Sequence, residues 1–147
     1  MPVQEKESSG KKVYFVFLVI LAASIFIYEL GMLLWYILAE DAIGFLSIGM
    51  PTLLDWILAL TGFIGSIVLF LAGINYLRRQ SWYSTFKWAC SIFIANNILN
   101  IIATVISVNS EIGYYDGSGW GMYSAFSVAV DIFAIIFWGF NSWIIKE

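Results

Sequence analysis

Four long apolar runs, over residues 13–38, 53–77, 88–108 and 122–145, constrain this chain more than any other feature. A helix needs about 20 residues to cross the hydrocarbon of a bilayer, and each run meets that length. A helix on a water-soluble domain would carry polar residues every third or fourth position on its outer face. Residues 13–28 are interrupted only by Ser24, Tyr14 and Tyr28, so that face meets lipid. Inside hydrocarbon the backbone amides bond within a helix or around a closed barrel, and continuous runs rather than short alternating ones select helices. Composition agrees: 61% of residues are hydrophobic, 12% are charged and the mean hydropathy is +0.88. Soluble domains have about 45 to 50% apolar and about 25% charged residues. The expected fold class is an all-α integral membrane protein of the cell membrane, a four-helix transmembrane bundle. It divides into a short tail over 1–12 and a single four-span domain over 13–147.

Orientation follows from the basic residues, which collect on cytoplasmic flanks. Lys6, Lys11 and Lys12 precede the first span, Arg78, Arg79 and Lys87 bracket the turn between the second and third, and Lys146 follows the fourth. Four spans put all seven on one side. The other two connections, 39–52 and 109–121, carry Glu40, Asp41, Glu111 and Asp116 and no basic residue. Both termini are therefore expected in the cytoplasm. A cleaved signal peptide does not fit, because its apolar core is about 7 to 15 residues and the first run is far longer.

The connection 78–87 makes the second and third spans antiparallel neighbours, with Ser81 or Ser84 able to cap the third and Trp82, Tyr83 and Trp88 suited to the headgroup zone. Residues 43–50, broken by Gly44 and Gly49, are expected along the interface, before Pro51 and Thr52 start the second span. Thr52 and Asp55 have capping-box spacing, so Asp55 reads as a helix cap. The loop from Tyr114 to Trp120 reads as a turn with an aromatic anchor, or else a partner contact or lid. Ala59, Gly62, Ser66 and Gly73, with Gly65 alongside, form a small-residue face on the second span, where another helix can approach closely.

The informative residues are polar ones inside the spans: Glu29 in the first, Asn96, Asn97 and Asn100 in the third, Asp131 in the fourth. A charged side chain at the centre of a span costs about 2.5 to 3.5 kcal/mol on insertion scales. Counted from the non-basic ends of their spans, Glu29, Asn100 and Asp131 lie about 12 to 14 Å deep at 1.5 Å per residue, in one layer. Helical spacing places Asn97, Asn100, Thr104 and Ser107 on one face, and Ser124, Ser127, Asp131, Ala134, Trp138 and Asn141 on another. Turned inward, these faces bring two carboxyls and up to three carboxamides together, with no Lys, Arg or His in the hydrophobic part of any span to neutralise them. One reading is an interhelical clamp, in which a protonated acid donates to an Asn carbonyl. A second is a site for a proton, a hard cation or a cationic substrate, with Glu29, Asn97, Asn100 and Asp131 as ligands. A third supplies the missing cation from another subunit.

Seven basic against ten acidic residues give a net charge of −3 and a pI of about 4.8, so no basic surface points to a nucleic-acid partner. A single cysteine, Cys90, and no histidine exclude an internal disulfide, a Cys/His zinc site, His-ligated haem and a His-based triad. The sequence calls for no metal or other cofactor. Catalysis is disfavoured, since only Glu29 with Asp131 could form a reactive pair. With 27 aromatic residues (7 Trp, 8 Tyr, 12 Phe) and no catalytic motif in its loops, the chain is expected to be a non-catalytic accessory or structural subunit of a larger membrane complex. Its partners would then be the lipid bilayer and other membrane subunits or further copies of itself. The alternative is a small proton- or cation-coupled transporter or channel built on the Glu29, Asp131 and Asn layer.

Overall fold

The structure, a computed structural model, describes residues 9–46, 53–111 and 120–145, and the side chains of 10–38, 53–106 and 124–145. Among the described residues the chain is all helical, with α1 (Ser9–Leu46), α2 (Leu53–Leu77), α3 (Tyr83–Glu111) and α4 (Trp120–Ile144). Each contains a segment long and apolar enough to cross a membrane.

The helices extend beyond the apolar runs that announce them. α1 already includes Gly10, Lys11 and Lys12, which the sequence assigns to the tail, and it continues through residues 39–46, part of which the sequence lays along the interface. No proline interrupts that stretch, and hydropathy marks where lipid ends rather than where hydrogen bonding ends. α3 begins at Tyr83 rather than Trp88, with the Phe86 N–H donating to Trp82 O at 2.9 Å. Polar Ser84, Thr85 and Lys87 hide that start from a hydropathy reading. The expectations for residues 1–8, the Thr52 side of the capping box and the Tyr114 loop lie outside the described residues.

The turn between α2 and α3 is a Schellman motif. The Arg79 N–H reaches Tyr76 O at 3.0 Å and the Gln80 N–H reaches Asn75 O at 2.8 Å, with Arg79 at φ 58° where glycine is the usual choice. Successive helices are antiparallel. Phe15 meets Tyr76 and Tyr36 meets Trp56 across α1 and α2, Thr61 meets Asn96 across α2 and α3, and Phe93 meets Trp138 across α3 and α4. α1 packs on α2, α2 on α3 and α3 on α4, while α1 and α4 make no close backbone approach within the described residues.

The small-residue face of α2 is used on two sides. Gly62 and Gly73 lie against Glu29 and Val19 of α1, and Gly65 lies against Ile92 and Phe93 of α3. Ala59 and Ser66 are buried between them, the Ser66 hydroxyl donating to its own helix at Phe63 O. The apolar core fills the half of the bundle that carries the basic residues. Phe15 stacks on Tyr76 with ring centroids 3.9 Å apart and meets the edge of Trp82 at 4.7 Å. Phe93 stacks on Trp138 at 4.7 Å, with Leu18, Leu69, Phe86 and Cys90 fully buried around them. This aromatic plug closes one half of the bundle and leaves the other to the polar residues.

Candidate functional site

In the half away from the basic end, α1, α2 and α3 enclose a crevice of about 220 Å³. α1 contributes Tyr28, Glu29, Met32 and Tyr36 at helical spacing, so one face of the helix lines it over two turns. α2 adds Asp55, Leu58 and Ala59, and α3 adds Asn96 and Asn100. Two carboxyls, two carboxamides and two phenols therefore line it, and among the described residues the lining holds no basic side chain.

Each polar group has a local reason for its position. Glu29 lies across Gly62, where the missing side chain leaves room for the carboxyl against the α2 backbone. Asn96 is oriented by the Thr61 hydroxyl, which donates to its Oδ1 at 2.5 Å. The Asn100 amide donates to Asp131 Oδ2 at 2.8 Å, so Asn100 connects the crevice to the fourth helix. Asp131 itself is only 6% exposed and sits behind Asn100 rather than in the crevice wall. Tyr36 forms one wall, its ring 5.4 Å from that of Trp56.

Of the four residues expected in the layer, Glu29 and Asn100 line one crevice, and Asn100 is hydrogen-bonded to Asp131. Glu29 on α1 does not meet Asp131 on α4, the two helices making no close backbone approach within the described residues; Asp131 is held by Asn100 instead. Asn97 takes no part in the crevice; its amide donates to its own helix at Phe93 O, 2.7 Å away. Asn96, which the expected ligand set did not include, lines the crevice in place of Asn97. Asp55, read from the sequence as a cap, stands in the first turn of α2 and also lines the crevice. Thr61, Tyr28 and Tyr36 are further residues that the sequence did not single out. Tyr36 and Glu29 are seven residues apart, a spacing from which a shared face could have been read.

At the basic end α1 and α4 are tied by one long-range contact, the Tyr14 hydroxyl donating to Asn141 Oδ1 at 2.5 Å. Among the described residues no group of three or more His, Cys, Asp or Glu side chains is placed to hold a metal ion. The crevice can accept hydrogen bonds and positive charge from a guest, and its apolar wall at Met32, Leu58 and Ala59 can exclude water around it. Comparison of the chain with protein families, with curated proteins and with solved structures found no match.

Proposed function

We propose that the chain is a multi-pass protein of the cell membrane, both termini in the cytoplasm, whose crevice around Glu29 binds a cation from the outer side and serves proton- or cation-coupled transport. The observation that carries this reading is the juxtaposition of Glu29, Asp55, Asn96 and Asn100 around one cavity whose lining, among the described residues, has no basic residue. Intramembrane acids facing a bundle interior mark ion or substrate paths more often than they serve packing alone. The aromatic plug in the basic half supports a site open to one side at a time, the arrangement alternating access requires. The orientation rests on the positive-inside distribution of the seven Lys and Arg residues.

The test is reconstitution of the purified chain in proteoliposomes, with proton and cation flux measured under an imposed gradient. Flux in the wild type that Glu29→Gln and Asp131→Asn reduce is the expected result. Vesicles as tight as protein-free controls, with no cation bound by the purified chain, would refute it.

A second reading, the accessory or structural subunit, is favoured by a specific feature of α4. Among the described residues that helix makes its close backbone approach to α3, and it exposes Phe126, Phe133 and Phe140 at seven-residue spacing. Such a stripe suits a helix of a neighbouring subunit or of a second copy. Its test is co-purification of a stable membrane partner that Phe133→Ser in α4 releases.

A further inference from the structure

The crevice around Glu29 is the wrong size and composition for a bare inorganic ion. A hard metal cation asks for about six to eight oxygen ligands at about 2.0 to 2.6 Å. Here the oxygen groups are spread along the cavity: Tyr36 and Glu29, both on its wall, stand seven residues apart on α1, about 10 Å of rise. The volume of about 220 Å³ equals about seven water molecules at about 30 Å³ each, room for a small organic molecule.

The walls divide by chemistry. Glu29, seated over Gly62, supplies one carboxyl deep in the cavity, and Asp55 supplies a second near the start of α2. The Met32 thioether lies between those levels, and the Tyr36 ring, braced by Trp56, lies at the level of Asp55. Aromatic faces attract alkylated ammonium groups, whose charge is spread over apolar substituents, and a thioether adds polarisable apolar surface. A strongly hydrated metal ion gains little from either. We propose that the crevice binds a small organic monocation, an alkyl-substituted ammonium, with Glu29 as its counter-ion and Tyr36 and Met32 as its apolar wall. This rests on the cation-binding reading above and names the class of cation.

Equilibrium dialysis of radiolabelled tetraethylammonium against the full chain in nanodiscs tests it, with sodium and calcium binding measured in parallel. Saturable tetraethylammonium binding is expected, weakened at least about tenfold in Glu29→Gln by loss of the counter-ion and partly restored in Glu29→Asp. Tyr36→Leu is expected to weaken it about fivefold, whereas Tyr36→Phe keeps the ring and stays near wild type. Size-exclusion profiles identify any variant that fails to fold, and the Tyr36 pair then decides the matter without Glu29. Binding of sodium or calcium without tetraethylammonium overturns this inference and leaves cation transport standing. Tetraethylammonium uptake unchanged in folded Glu29→Gln is partition into lipid and also overturns it. No binding of any cation overturns both.

Discussion

Replacing Gly62 with alanine separates the position of Glu29 from the stability of the bundle. A Cβ at Gly62 would fall on the Glu29 Oε1, 2.7 Å from Cδ and 3.2 Å from Cγ. Ordinary carbon contacts are about 3.5 to 4.0 Å, so the carboxyl must retreat by about 1 Å. Glutamate can do this by rotating its own side chain, and α1 and α2 need not part. Alanine in a helix interior is favoured over glycine by about 0.5 to 1 kcal/mol, so the net stability change is expected within about 1 kcal/mol of zero. Gly73→Ala is the control. There the new Cβ would fall on Cγ2 of Val19, with Val19 Cβ and the Phe15 carbonyl both at 3.7 Å. Valine in a helix keeps one χ1 rotamer about 90% of the time, so relief comes by spreading the helices. Overpacking of about 1 to 3 kcal/mol, set against the same helix gain, leaves Gly73→Ala less stable by up to about 2.5 kcal/mol. Unfolding in mixed detergent and dodecyl sulfate micelles measures both variants, and tetraethylammonium binding is measured beside it. Gly62→Ala should weaken binding at near wild-type stability, and Gly73→Ala should lose stability first. Equal destabilisation by the two, with binding intact in Gly62→Ala, would refute the placement of Glu29 on Gly62.

Three other outcomes are expected. Asn100→Leu removes the amide that donates to Asp131, and a double-mutant cycle with Asp131→Leu should give a coupling of about 0.6 to 1.7 kcal/mol; zero coupling would show that the bond is not made. Arg79→Gly relieves a left-handed backbone conformation and should raise the unfolding midpoint by about 1 kcal/mol of stability, an unchanged midpoint counting against the Schellman turn. In a Cys90→Ala background, an impermeant maleimide should label Gln80→Cys and Glu147→Cys from one side of the membrane and Asp116→Cys from the other. Labelling of Asp116→Cys and Gln80→Cys from the same side would end the proposed orientation.

The four helices were legible because lipid-length apolar runs have few other uses, and the small residues of α2 were legible because close approach leaves a compositional mark. Which polar residues meet was only half legible. Asn96, Asn97 and Asn100 can be sorted into two faces, 96 with 100 or 97 with 100, and helical spacing accepts either. The sequence reading chose the face shared with Thr104 and Ser107, as though α3 had one partner. α3 stands between α2 and α4 and has two inward faces: Asn96 turns to Thr61 on α2, while Asn100 serves both the crevice and Asp131 on α4. Glu29 and Asp131 were each expected within reach of the other, or of Asn97 or Asn100, and hydropathy alone does not say which helices adjoin. Each helix packs on its sequence neighbours, so Asp131 meets Asn100 of α3, while Glu29 of α1 shares only the crevice lining with Asn100. Asp55 was read locally as a cap because nothing in its own helix shows that Tyr36 and Glu29 stand across from it.

Position 29 itself decides what the open half of the bundle is for. The same groove of α2 receives Val19 at Gly73 and Glu29 at Gly62, so one small-residue face meets a hydrocarbon side chain in the plugged half and a carboxyl in the crevice half. If Glu29 is an interhelical clamp, replacing it with leucine removes a stabilising group. If it is kept for a guest, leucine completes a seam that sequence and backbone already favour. Leucine keeps the Cγ that lies over Gly62 and frees the site from desolvating a carboxyl. Replacing buried ionic groups by well-packed apolar ones is often neutral or stabilising by about 1 to 4 kcal/mol. Glu29→Leu is therefore expected to unfold at equal or higher dodecyl sulfate fraction than the wild type while losing tetraethylammonium binding altogether. A folded Glu29→Leu protein that is clearly less stable than wild type would show the carboxyl to be part of the scaffold, and the case for a cation site would lose its central residue.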